Sequence, residues 1–113
     1  MYKRQTTGQD AELAGIQRIL VGEQFMTIYK AIKPEAEATA TLAVALAKGE
    51  TPPASLTLTK VNNGTKEVDS VILVPVPVTK ANVKSTVVAD GFWTAKDICT
   101  SAYAAACKAA GIQ

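Results

Sequence analysis

Asp10-Ala11-Glu12-Leu13-Ala14-Gly15-Ile16-Gln17-Arg18-Ile19-Leu20-Val21-Gly22-Glu23, running straight into Gln24-Phe25-Met26-Thr27-Ile28-Tyr29-Lys30, decides the fold class. In its first half Leu13, Ile16, Ile19 and Leu20 recur at helical spacing, which predicts a helix over 11–21. Asp10 is placed to cap it, Glu12 falls in its first turn and Gly22 lies just past its end. The second half is short and rich in β-formers, so Gln24–Tyr29 reads as a strand with Lys30 at its carboxyl end.

The same alternation continues downstream. Pro34 opens a second helix that carries Glu35 and Glu37 in its first turn and runs to Lys48, where Gly49 ends it. Leu56–Lys60 alternates like a short strand, and Asn62-Asn63-Gly64 is a turn signal. Val68–Val78 is β-rich, but Pro75 and Pro77 confine it to a sheet edge or a crossover. Thr79 is placed to cap a short helix over 81–88, ended by Asp90-Gly91, and Thr94 to cap a last helix over 95–110, stopped by Gly111. Upstream, Thr6–Asp10 is polar and turn-like, so the order begins on a helix. The expected fold is therefore α/β, a partial lobe with a mostly parallel sheet, flanking helices and its first strands missing.

Composition narrows the function. The 113 residues are 48% hydrophobic with few aromatics, and Ala, Val, Leu and Ile carry the apolar content. That suits close helix–sheet packing and is too apolar for a disordered chain. The net charge is +2 with both signs interspersed, which predicts no nucleic-acid partner. There is no histidine, so the commonest general base and metal ligand are both absent. Ser55, Ser70, Ser85 and Ser101 lie in no nucleophile-elbow context, and no glycine-rich phosphate loop exists. No catalytic residue, metal site or cofactor is expected, and no enzyme. Met1 is followed by Tyr2-Lys3-Arg4-Gln5 with no apolar signal-peptide region behind it. This stretch resembles a translated sequencing-adapter remnant, and residues 1–5 are expected to be non-native.

Asp10 and Lys30 form the informative pair. Lys30 follows the Gln24–Tyr29 strand and Asp10 the strand that should precede the first helix, so in an open α/β sheet both emerge at the carboxyl edge, where ligands bind. A carboxylate accepts hydrogen bonds from adjacent hydroxyls and an ammonium donates to ring or hydroxyl oxygens, which fits a polyol. The plainer reading of the same spacing is a helix cap at Asp10 and a solvated loop lysine at Lys30.

Thr7-Gly8-Gln9-Asp10-Ala11-Glu12-Leu13-Ala14-Gly15-Ile16 resembles the C-terminal lobe of periplasmic xylose-binding proteins, the solute receptors of ABC importers. So do Met26-Thr27-Ile28-Tyr29-Lys30, the 36–49 helix, the Asn62-Asn63-Gly64 turn, Val71–Val78 and Asp90-Gly91-Phe92. The resemblance spans residues 7–93 and implies that 6–93 is part of the C-terminal lobe of a two-lobe periplasmic-binding fold, with 94–113 as a helical tail. It implies that Asp10 and Lys30 contact a monosaccharide. Ribose-type relatives place Gln where Lys30 stands, so a xylose-like sugar is implied. It also implies an ABC permease as partner and a periplasmic or extracellular location. The family's N-terminal lobe, which supplies the other half of the sugar contacts, has no counterpart here. Trp93 lies beyond the matched ligand positions and reads as packing.

In an exported receptor the lone pair Cys99 and Cys107 suggests a disulfide. Eight residues of continuous helix rise ~12 Å, beyond the ~7 Å that a disulfide spans between Cα atoms. Either the last helix breaks near Thr100–Ala102 or both thiols are free; a break and a bond are expected. The alternative function is the sugar-sensing effector domain of a transcription repressor, which shares the fold. A third is a freestanding scaffold.

Overall fold

The computed structural model describes residues 6–112, so the expected remnant at 1–5 lies outside the described residues. The described residues divide into two compact units, one made of 6–30 with 75–112 and the other of 31–74. The helical tail at 94–113 falls within the first unit.

The first unit is built on a three-stranded sheet of β1 (Thr7–Gln9), β2 (Met26–Tyr29) and β5 (Val76–Val78), in the order β1-β2-β5. Thr7-Gly8-Gln9, expected to be part of a turn, is the strand that precedes the first helix. It pairs parallel to β2 with Gln9 opposite Ile28. Three residues with one glycine carry too little β signal to stand out in the sequence. β5 runs antiparallel to β2, with Pro77 opposite Ile28. The sheet is thus mixed and not mostly parallel. A strand that returns after a long excursion can pair in either direction, and antiparallel edge strands on parallel sheets are common. Its edge position also tolerates Pro77, which has no N–H to give to a further strand.

α1 (Leu13–Val21) begins two residues later than expected, with Glu12 at its N-cap and no side-chain cap bond. Gly22 ends it at φ 83°. Ile16, Ile19 and Leu20 are fully buried, joined by Val78, Val83, Val87, Ile98, Cys107 and Ile112. Each such aliphatic side chain contributes about 1.5–3 kcal/mol on leaving water. The expected helix at 81–88 is a turn leading into a π-helical segment, Lys84–Val88. Asn82, not the side chain of Thr79, starts it: its Oδ1 accepts from the Thr79 N–H at 2.7 Å and its amide donates to the Pro77 carbonyl at 3.0 Å.

The last helix is broken. α3 (Ala95–Ile98) and α4 (Ala104–Ala109) are separated by turns, and both pack on α1. Gln17 of α1 donates to the Ile98 carbonyl at 3.2 Å. The break brings the Cα atoms of Cys99 and Cys107 to 5.8 Å, and the two are joined in a disulfide.

The second unit holds α2 (Ile32–Ala47) and a hairpin of β3 (Leu58–Asn62) and β4 (Glu67–Val71). Pro34 sits in the first turn of α2, where its missing N–H has no partner to lose. Asn62 and Asn63 build the hairpin turn. Asn62 Oδ1 accepts from the Gly64 N–H, and Asn63 Oδ1 from those of Thr65 and Lys66. The β-rich run at 68–78 is interrupted after Val71 and resumes as β5, because Pro75 cannot donate to a ladder. Ala45 is the one core side chain of this unit among the described residues, while Ile32, Val44 and Leu46 of α2 are exposed. No helix of the described chain is long and apolar enough to cross a membrane.

Candidate functional site

β1 and β2 are neighbours and parallel, so the residues that follow them leave the same edge of the sheet. Those residues are Asp10 and Lys30. Lys30 Nζ lies 2.7 Å from Asp10 Oδ1, with the lysine side chain 50% and the aspartate side chain 63% exposed. The reading of Asp10 as a helix cap is overturned, since Glu12 takes that position and Asp10 turns toward Lys30 instead.

Asp10 and Ala11 both have positive φ, 67° and 48°, the two non-glycine residues of the described chain that do. Asp tolerates this region through its short polar side chain, but Ala gains nothing there and is disfavoured by roughly 1–2 kcal/mol. A solvent-exposed ion pair contributes only about 0–1 kcal/mol. The pair therefore does not repay the backbone that presents it. Strained backbone of this kind persists only where the surrounding structure imposes it.

Two side chains hold the turn. Thr27, buried on β2, accepts a hydrogen bond at Oγ1 from the Ala11 N–H at 3.2 Å. Trp93 Nε1 donates to the Ala11 carbonyl at 2.8 Å. The Trp93 ring meets Phe92 edge-on at 5.4 Å, and Phe92 leans on Tyr29 at 5.1 Å. Tyr29, beside Lys30, has its hydroxyl held above the ordinary tyrosine pKa, first by burial and then by the charge and hydrogen bonding of Asp90. Neither Thr27 nor Trp93 was marked for this in the sequence. Trp93 reads as packing in the sequence, and its bond to a backbone carbonyl has no local signature there.

A groove of about 190 Å³ lies within the 31–74 unit between Glu35, Thr39 and Leu42 of α2 and Asp69, Ser70 and Val71 of β4. Its walls carry the Glu35 and Asp69 carboxylates beside aliphatic and hydroxyl side chains. The Asp10–Lys30 surface has the chemistry of one wall of a site: an acceptor and a donor, fixed side by side and open to solvent.

No protein-family model matches the chain. It is 51% identical over 86 residues to the D-xylose-binding periplasmic protein of Escherichia coli strain K12, covering 76% of this chain and 25% of that one. Its relatives are periplasmic sugar-binding proteins. The namesake from Haemophilus influenzae is 46% identical over 92 residues, covering 81% of this chain and 27% of its own length. A solved structure, the carbohydrate transporter solute binding protein from Chloroflexus aurantiacus in complex with D-glucose, matches with a TM-score of 0.72. It is 35% identical, and the match takes in 82% of this chain and 26% of that one. The α/β fold is thus that of part of a sugar-binding periplasmic protein. The chain spans about a quarter of the length of the curated relatives it matches.

Proposed function

We propose that this chain is the C-terminal sugar-contacting piece of an exported solute receptor for an ABC importer, and that Asp10 and Lys30 are its ligand residues. The observation that carries the reading is the Asp10–Lys30 pair itself. It is set at the carboxyl ends of two adjacent parallel strands, where open α/β sheets bind ligands. The Asp10 carboxylate accepts from two neighbouring hydroxyls while the Lys30 ammonium donates to a third oxygen. A pentose or hexose offers that pattern on one edge. The ligand is a xylose-like monosaccharide captured between this wall and a second lobe, then handed to a membrane permease. No bond is made or broken, and no cofactor takes part. The similarity to receptors named for D-xylose supports this over the repressor alternative.

The test is a hybrid receptor in which this segment replaces the matching quarter of the Escherichia coli relative. Xylose binding is measured by calorimetry. Hydrogen bonds to a charged group contribute about 1.5–3 kcal/mol each, so Asp10→Ala in the hybrid is expected to cost about 3 kcal/mol or more, over a hundredfold in affinity. Full affinity in that variant removes Asp10 from the site.

A further inference from the structure

We propose that Trp93 and Thr27 are positioning residues of the sugar site: together they clamp the backbone of Ala11 and so impose the left-handed turn that aims the Asp10 carboxylate at Lys30. The inference rests on the reading of Asp10 and Lys30 as ligand residues for its purpose, though not for its geometry. Ala11 is wholly buried and its peptide groups are bonded on both sides, the N–H to Thr27 Oγ1 at 3.2 Å and the carbonyl to Trp93 Nε1 at 2.8 Å. These two bonds come from elements far apart in the chain, β2 and the turn before α3, and converge on one alanine at φ 48°. An alanine free to relax would leave that region, because its Cβ crowds the following carbonyl. Rotation at Ala11 would swing Asp10 away from Lys30, since the two residues are adjacent and both are at positive φ. Trp93 is the single tryptophan of the chain, and its ring has little freedom, packed against Phe92. A rigid donor of this kind fixes a backbone carbonyl better than a flexible side chain does.

The experiment uses the 113-residue chain, labelled for NMR. A strong intraresidue amide–Hα cross-peak marks a residue at positive φ. It is expected at Asp10 and Ala11 in the parent. Trp93→Phe keeps a ring and deletes the N–H; Thr27→Val keeps the shape and deletes the hydroxyl. Each is expected to weaken both cross-peaks while the α1 resonances stay in place, and Thr27→Val serves if Trp93→Phe does not fold. Ala11→Gly, which accepts positive φ without help, is expected to restore the turn in the Trp93→Phe background. A residue that merely stabilised the core would not be rescued by glycine at that position. Unchanged cross-peaks in both single variants overturn the proposal. In the hybrid receptor, Trp93→Phe is expected to weaken xylose binding by about tenfold, the scale of one net hydrogen bond. If the turn is lost and the affinity is not, the clamp stands and the assignment of Asp10 to the sugar fails.

Discussion

Gly8 stands where β1 passes over Gln24, and a Cβ built there would lie 2.8 Å from Gln24 Nε2. That amide cannot simply swing aside. Gln24 is buried, its Oε1 accepts from Arg18 Nε at 3.2 Å and its Nε2 donates to the Met26 carbonyl at 3.0 Å. Gly8→Ala is therefore expected to destabilise the chain by about 1–3 kcal/mol, the usual range for overpacking. Chemical denaturation measures it, and an unchanged midpoint would mean that Gln24 yields without loss. The glycine thus makes room for the Gln24 side chain beside β1. At this scale the sequence was legible where a residue's place follows from chain order. Asp10 and Lys30 each come after a strand, so their meeting could be expected. Ala11 could not: nothing about an alanine announces a positive φ, which is set by Thr27 and Trp93 acting on its backbone from a distance.

α3 is only four residues long, and its start is secured by a capping box. Thr94 Oγ1 accepts from the Asp97 N–H, and the Asp97 carboxylate accepts from the Thr94 N–H at 3.0 Å. The Thr94 hydroxyl and N–H hold the Asp97 pKa below its ordinary 3.8. A carboxylate with a lowered folded pKa adds stability above the unfolded value and loses it as pH falls through the folded one. The α3 amides are thus expected to lose hydrogen-exchange protection below about pH 4, while Asp97→Asn shows no such pH step. A parent chain whose α3 protection is flat from neutral pH to strong acid counts against the box as a pH-dependent cap. Thr94 is legible as a cap in the sequence because capping is local. The break after Ile98 was less plain, since Ala95–Ala110 is otherwise good helix former. It took two cysteines too far apart along a helix to make a break there a reasonable expectation. The disulfide closes a loop with a sequence separation of 8, which stabilises by roughly 2–3 kcal/mol in the chain-entropy model. Reduction, with the sequence left intact, should lower the unfolding free energy by about that amount and expose α4 amides first. Equal stability with and without reductant would show that α4 is held by Cys107 and Ile112 packing alone.

Across the whole chain, α/β alternation was legible because it rests on hydrophobic period and on glycine and proline punctuation. The direction of β5 was not, since pairing sense is settled by how the chain returns to the sheet and leaves no local mark. The apolar side chains of Ile32, Val44 and Leu46 on α2 are exposed, which the helical period alone does not reveal. The proposed site is open as well. On this chain the Asp10–Lys30 pair is about half exposed, so a sugar that docks there leaves its far hydroxyls in water. Each hydrogen bond then replaces an equivalent one to water and nets about 0.5–1.5 kcal/mol before any charge assistance. Association itself costs an estimated 4–15 kcal/mol in lost freedom. The sum leaves little or nothing, and the 113-residue chain alone is expected to bind xylose with a Kd of about 1 mM or weaker. The hybrid receptor adds an opposing wall that removes those hydroxyls from water, and it is expected to bind at least a hundredfold more tightly, about 2.7 kcal/mol or more. Calorimetry on the two proteins under one set of conditions compares them directly. Comparable affinity in both would mean that Asp10 and Lys30 already form a complete site, and the account of this chain as one wall of a cleft would have to be given up.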